Sequence, residues 1–193
     1  MRRGKFLFPI AVTGWLFYSC AEYTPKPRGY FRIEPPVPSY VEALPDELPY
    51  SFHVSTLAEI ELPLYGEEKG WINLSYPTLN AKVYCSYLPV TPSSLGEAVR
   101  ETQELLVRQA KDAHAKIARQ AFDYPEQGVH AAFYFMEGDC PSPMQFTLTD
   151  SARHFFRGAL YYNGILNADS LEPVTSYLTG DMVELVQTFC WKN

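Results

Sequence analysis

One long amphipathic stretch, from Ser94 to Ala118, does most to limit what this 193-residue chain can fold into. Leu95, Val99, Thr102, Leu106, Ala110, Ala113 and Ile117 recur at helical spacing, and Ala98, Leu105 and Ala118 widen the stripe. Such a stripe is an apolar helix face that has to be buried against something. Ser93 or Ser94 is placed to cap its start, with Glu97 three residues after Ser94 as in a capping box. At about 1.5 Å per residue, the helix would reach roughly 36 Å, long enough to cross a whole sheet.

The segments on either side alternate in the strand sense. Before the helix these are Tyr50 to Val54, Ala58 to Leu62, Trp71 to Tyr76 and Ala81 to Tyr87. A polar turn at Gly66 to Gly70 and a reversal at Pro77 to Asn80 separate them. After the helix come Phe122 to Tyr124, Gly128 to Glu137, Met144 to Leu148 and His154 to Tyr162. A second helix is expected from Asp169 or Ser170 to about Cys190. Met182, Leu185, Val186 and Phe189 mark its buried side, and Pro173 lies in its first turn, where proline is tolerated. The order predicts an α+β single domain: a mainly antiparallel sheet, packed by one long central helix and a C-terminal helix, and covered mainly on one face. There is no internal repeat and no sign of a second domain.

The beginning of the chain is of another kind. Met1, Arg2, Arg3 and Lys5 make a basic start, Phe6 to Phe17 an apolar run, and Ser19 then stands directly before Cys20. A run of about a dozen residues is too short for a bilayer-spanning helix, which needs roughly 20. It suits the central part of a secretory signal peptide. A small residue followed by Cys is what a bacterial lipoprotein signal requires, because the thiol carries the diacylglycerol. On this reading residues 1–19 are the signal peptide, 20–46 a lipid-anchored Pro-rich tether, and 47–193 the domain. Ordinary cleaved secretion and an uncleaved anchor are the readings that the residues also leave open. Acyl chains contribute about 0.8 kcal/mol per buried CH₂, so two or three hold a protein stably where one would not. Within the tether, Pro25, Pro27, Pro35, Pro36, Pro38 and Pro45 favour extended conformations. Arg28, Tyr30, Phe31 and Arg32 form an aromatic and basic cluster inside it. These side chains either fold back on the domain or grip a partner, since Tyr, Phe and Arg carry much of the binding energy at interfaces.

Charge narrows the partners. Removal of the signal peptide leaves thirteen basic residues against 22 acidic ones, a formal charge near −9. That argues against nucleic acid and against adhesion to anionic headgroups, both of which want clustered Lys and Arg. Besides Cys20 there are Cys85, Cys140 and Cys190, enough for one disulfide at most. Neither these cysteines nor the four histidines have metal-ligand spacing, and no cofactor motif is present. Asp150, Ser151 and His154 contain the residue types of a hydrolase triad, but adjacency in sequence is not triad geometry. They read more simply as a turn whose side chains bond nearby amides, and no catalytic residue is assigned. Fourteen tyrosines and twelve phenylalanines are more than a half-covered sheet can bury, so some should line a groove or an interface. Tyr161 and Tyr162, like Phe155 and Phe156, are neighbours on one strand, so one of each pair faces away from the core. Arg153 and Arg157 lie beside them, placed to stack on a partner or to solvate an edge strand.

Several segments together resemble the gliding-motility lipoprotein GldD family. They are Tyr23 to Ile33, Trp71-Ile72-Asn73 with Tyr76-Pro77, Gln145-Phe146 through Ser151, His154 to Tyr162, Asp169 to Val174, and Thr188 to Lys192. The resemblance implies an exported, lipid-anchored protein of the cell envelope, needed for gliding and for the linked type IX secretion system. It implies a membrane protein complex as partner and no catalytic residues; the only position it transfers is the lipidated Cys20. The element order is also similar to small lipoproteins of the PsbP/Mog1 type, an analogy of fold alone. The other class that the tyrosines allow is a periplasmic ligand-binding lipoprotein with an aromatic-lined pocket.

Overall fold

The computed structural model describes residues 36–63, 69–138, 140–163 and 168–192. The signal peptide and most of the tether, with Cys20, Arg28, Tyr30, Phe31 and Arg32, lie outside the described residues, as does most of the Gly66 to Gly70 turn.

Seven antiparallel strands make the central sheet. In chain order they are β4 (Glu59–Glu61), β5 (Ile72–Tyr76), β6 (Ala81–Pro89), β7 (Lys116–Tyr124), β8 (Val129–Glu137), β9 (Met144–Thr149) and β10 (His154–Tyr162). Across the sheet the order is β4-β5-β6-β10-β9-β8-β7. Short pairs flank it: β1 (Tyr40–Val41) with β3 (Val54–Ser55), and β2 (Tyr50–Ser51) with β11 (Cys190–Trp191). Helices α1 (Pro92–Asp112) and α2 (Ala168–Gln187) complete the α+β fold.

Strand alternation sends the main core to one face. Ile72, Leu74, Val83, Cys85, Phe133, Phe146, Leu148, Phe156 and Leu160 are buried there against Val174, Leu178, Met182, Leu185, Val186 and Phe189 of α2. Tyr50, Phe52, Phe156 and Phe189 form its aromatic centre, with ring centroids 4.7 to 6.1 Å apart. Among the described residues, most of the Tyr and Phe side chains therefore lie in or against the core. Helix α1 lies on the opposite face. Its Leu106 packs with Ala132, Tyr134 and Met136, and its Ala98 with Val90 and Phe155. The second face is thus partly roofed, more cover than the sequence suggested.

The central helix is shorter than its periodicity predicts. Thr91 caps it, in a capping box with Ser94, and Pro92 takes the first turn. It ends at Asp112, because His114 adopts a left-handed conformation (φ 52°). The amide of His114 then bonds the Lys111 carbonyl and that of Ala115 the Ala110 carbonyl, the Schellman pattern. Ile117 and Ala118, expected on the helix, belong to β7. Likewise α2 stops at Gln187, and Cys190, expected near the helix end, pairs with Ser51 in β11. The last part of the expected tether is docked: Tyr40 pairs with Ser55, and its hydroxyl donates to Asp181 Oδ1 at 3.0 Å.

Candidate functional site: an open groove on the α1 face

On its face of the sheet, α1 packs on β8 and β10 and meets β9 through Gln109 and Gln145, while Tyr84 and Leu88 of β6 stay about half exposed. The register places Asn73, Tyr84 and Ala159 side by side there, with Ser86 opposite Arg157 in the next row. Together with Trp71, Tyr161 and Asn163 these residues line a groove of about 560 Å³. Tyr84 and Tyr161 meet edge to face at 5.6 Å, and Tyr84 keeps 46% of its surface exposed. Trp71 is fixed by its indole N–H, which donates to the Tyr87 carbonyl at 2.9 Å.

Arg157 sits at the inner end of this groove. Its Nη2 donates to Gln145 Oε1 at 3.0 Å. Gln145, fully buried, donates in turn to Gln109 Oε1 at 2.6 Å and Ser142 Oγ at 3.1 Å, and Gln109 donates to the Tyr161 hydroxyl at 2.8 Å. Among the described residues no carboxylate lies within ion-pairing distance of Arg157, and its buried Nε has no hydrogen-bond partner. Burial holds its pKa below the ordinary guanidinium value. Lys82, on the same face, is by contrast already neutralised by Glu61 at 2.8 Å.

Arg153 and Arg157, each placed to stack on a partner or to solvate an edge strand, are not brought together. Arg153 is exposed in the turn before β10 and lies 3.9 Å from Asp150 Oδ2. Four residues along extended chain is about 13 Å, and only Arg157 reaches the groove. Asp150 is a turn residue: its Oδ1 accepts from the amides of Ala152, Arg153 and His154 at 2.7 to 3.0 Å. Burial pushes its carboxyl up, and these amides outweigh that and hold it below the ordinary value. His154 stacks on Trp191 at 4.8 Å and shares a 2.8 Å hydrogen bond between its Nδ1 and the Tyr87 hydroxyl. Burial lowers its pKa against the pull of Asp150. Cys85, Cys140 and Cys190 are free thiols.

Of each aromatic pair, Phe156 and Tyr162 face the main core, while Phe155 lies under α1 and Tyr161 walls the groove. Tyr84 was missed as a site residue. The signal was present, since the alternation Lys82-Val83-Tyr84-Cys85-Ser86 puts Tyr84 on the non-core face. Gln109 and Gln145 had no comparable signal, because only the docking of α1 joins them.

The family model for the gliding motility lipoprotein GldD matches residues 20–191, nearly the whole chain. The chain belongs to the gliding motility lipoprotein GldD family. As a member of a lipoprotein family, this GldD-family chain is a membrane-anchored protein of the cell envelope. No helix among the described residues is long and apolar enough to cross a membrane. No curated protein matches the chain. Among solved structures it is similar to the solution structure of cyanobacterial PsbP (CyanoP) from Synechocystis sp. PCC 6803. The two are 12% identical over 79% of this chain and 92% of that one, with a TM-score of 0.47.

Proposed function

We propose that this protein is a lipid-anchored, non-catalytic accessory or assembly component of gliding motility and of the type IX secretion machinery linked to it. The lipid on Cys20 tethers it, the domain lies in the periplasm, and the open face of the sheet docks on a membrane protein complex. The observation that carries this reading is the family match, which starts at Cys20 itself and runs to residue 191. A non-catalytic role is supported by the use to which the only triad-like residues are put: Asp150 is occupied by three backbone amides, and His154 by Tyr87 and Trp191. The test is a deletion strain complemented with wild type or with Cys20→Ala, scored for colony spreading and for release of secreted cargo. Rescue by the wild type alone supports a tethered component of the pathway; normal spreading and secretion in the deletion strain refutes it.

A second reading, a ligand-binding lipoprotein, is favoured by one observation. A cavity of about 420 Å³ between β8 and α2 is lined by Phe135, Met136, Tyr162 and Leu171, and pockets of this size and polarity take small apolar ligands. Native mass spectrometry of protein purified from its own membrane would reveal a retained small molecule, and a clean apo mass would count against this reading.

A further inference from the structure

We propose that the groove is a carboxylate-binding site, in which Arg157 receives an acidic side chain of a partner protein beside the touching rings of Tyr84 and Tyr161. The inference rests on the docking reading above and names its chemistry. Three observations carry it. First, Arg157 is a cation without a counter-charge among the described residues of a chain that is acidic as a whole. A half-buried guanidinium whose Nε has no partner is costly to leave without a counter-charge, so the position favours an anion. Second, its head is held from one side only. The relay Tyr161–Gln109–Gln145 fixes Nη2 from the α1 side, while the residue also lines the groove. A guanidinium whose orientation is already set loses little freedom when it takes a carboxylate. Third, the walls are aromatic and neutral: Trp71, Tyr84, Asn73 and Ser86 supply ring faces and hydrogen-bonding groups, and the one other cation near them, Lys82 at 5.9 Å from the Tyr84 ring centre, is held by Glu61.

That last point separates the candidate anions. A phosphate dianion is matched by two or more cations, whereas one guanidinium matches a single carboxylate. The shape separates the sources. The groove is an open trough on a flat sheet face, with Tyr84 half exposed at its rim, and so lacks the enclosure that a small free acid needs to be held by burial. An extended acidic segment can lie along it and insert one side chain. The overall negative charge of the protein repels such a segment at long range, so recognition depends on short-range contact, with rim aromatics excluding water around the ion pair.

The test uses full-length lipidated protein in detergent micelles, labelled with ¹⁵N-arginine. The Arg157 Nε–Hε resonance is assigned by its absence in Arg157→Lys. The probes are a blocked Glu-Glu dipeptide, the blocked Gln-Gln dipeptide, sodium acetate and inorganic phosphate. A saturable shift of this resonance with Glu-Glu is expected, about tenfold weaker in Tyr84→Ala, a rim variant that leaves the core intact. Gln-Gln should leave it unmoved, and acetate and phosphate should act only at much higher concentration. No shift with Glu-Glu, or an equal shift with Gln-Gln, overturns the proposal. Acetate as effective as Glu-Glu would make the groove a small-acid site, and phosphate the more effective would change the anion; each overturns it as stated. The docking reading fails separately, through normal secretion in the deletion strain, whatever the peptide does.

Discussion

Gly158→Ala tests the packing that carries the groove. Gly158 lies on β10 next to Arg157 and directly across from Phe146 on β9. Its φ is not in the left-handed region, so its backbone would accept any residue and the constraint is space alone. A Cβ there would stand 2.2 Å from Phe146 Cζ and 2.3 Å from Cε1, against ordinary contacts of about 3.5–4.0 Å between carbons. The ring therefore has to move by more than about 1 Å. It has no room to do so, being 1% exposed and flanked by the rings of Phe133 and Phe156 with centroids at 6.0 and 6.2 Å. Overpacking of this kind costs about 1–3 kcal/mol. In a chain of this size that lowers Tm by roughly 3–10 °C. The assay is thermal denaturation followed by circular dichroism, run as a cycle with Phe146→Leu. Removing the ring should relieve the alanine, so that the double variant is more stable than the summed single effects by about 1–2 kcal/mol. A Gly158→Ala protein with unchanged Tm, or strictly additive effects, would refute the contact.

Asp150→Ala should destabilise the domain by about 1–3 kcal/mol, since three amides lose their acceptor, and chemical denaturation measures it. Because the folded pKa of Asp150 lies below its ordinary value of 3.8, that contribution is whole above pH 3.8 and is lost as pH falls through the folded value. Asp150→Ala should therefore remove part of the acid sensitivity. Asp181 has the opposite sign. Burial first, opposed by the hydrogen bond from Tyr40, raises its carboxyl, so its contribution is greatest at low pH and declines as pH rises from 3.8 through the folded value. Asp181→Asn should flatten the Tm profile in that window, and an unchanged profile would contradict the assignment. Of the three described cysteines, exposed Cys190 should react with a thiol reagent in the native protein, while Cys85 and Cys140, whose thiols burial pushes up, should react only on unfolding.

Much of the fold was legible because its signals are local. The alternation of Ile72, Leu74 and Tyr76, and the helical stripe through Ala98, Thr102, Leu106 and Ala110, are the burial pattern itself. The end of α1 was not legible, since a glycine usually marks such a stop and here His114 takes the left-handed position. The strand that follows gave no correction. Residues Lys116 to Asp123 of β7, the edge strand of the sheet, are exposed, so Ile117 and Ala118 continue the helical period without any burial that would mark them as strand. The site was legible in pieces. Arg157 stood out as a basic residue among aromatics, but its isolation from any carboxylate is a property of the packed sheet. Tyr84 and Trp71 are twelve residues or more from each other and over 70 from Arg157, and only the pairing of β5, β6 and β10 gathers them.

The open face beside α1 is proposed as the working surface of a tethered envelope component. It is tested most directly by cargo release from a strain whose only copy carries Tyr84→Ala, with membrane abundance and Tm of the variant measured alongside. Reduced cargo release and colony spreading are expected from a protein that is present, membrane-bound and folded. Wild-type release and spreading from that strain would contradict it.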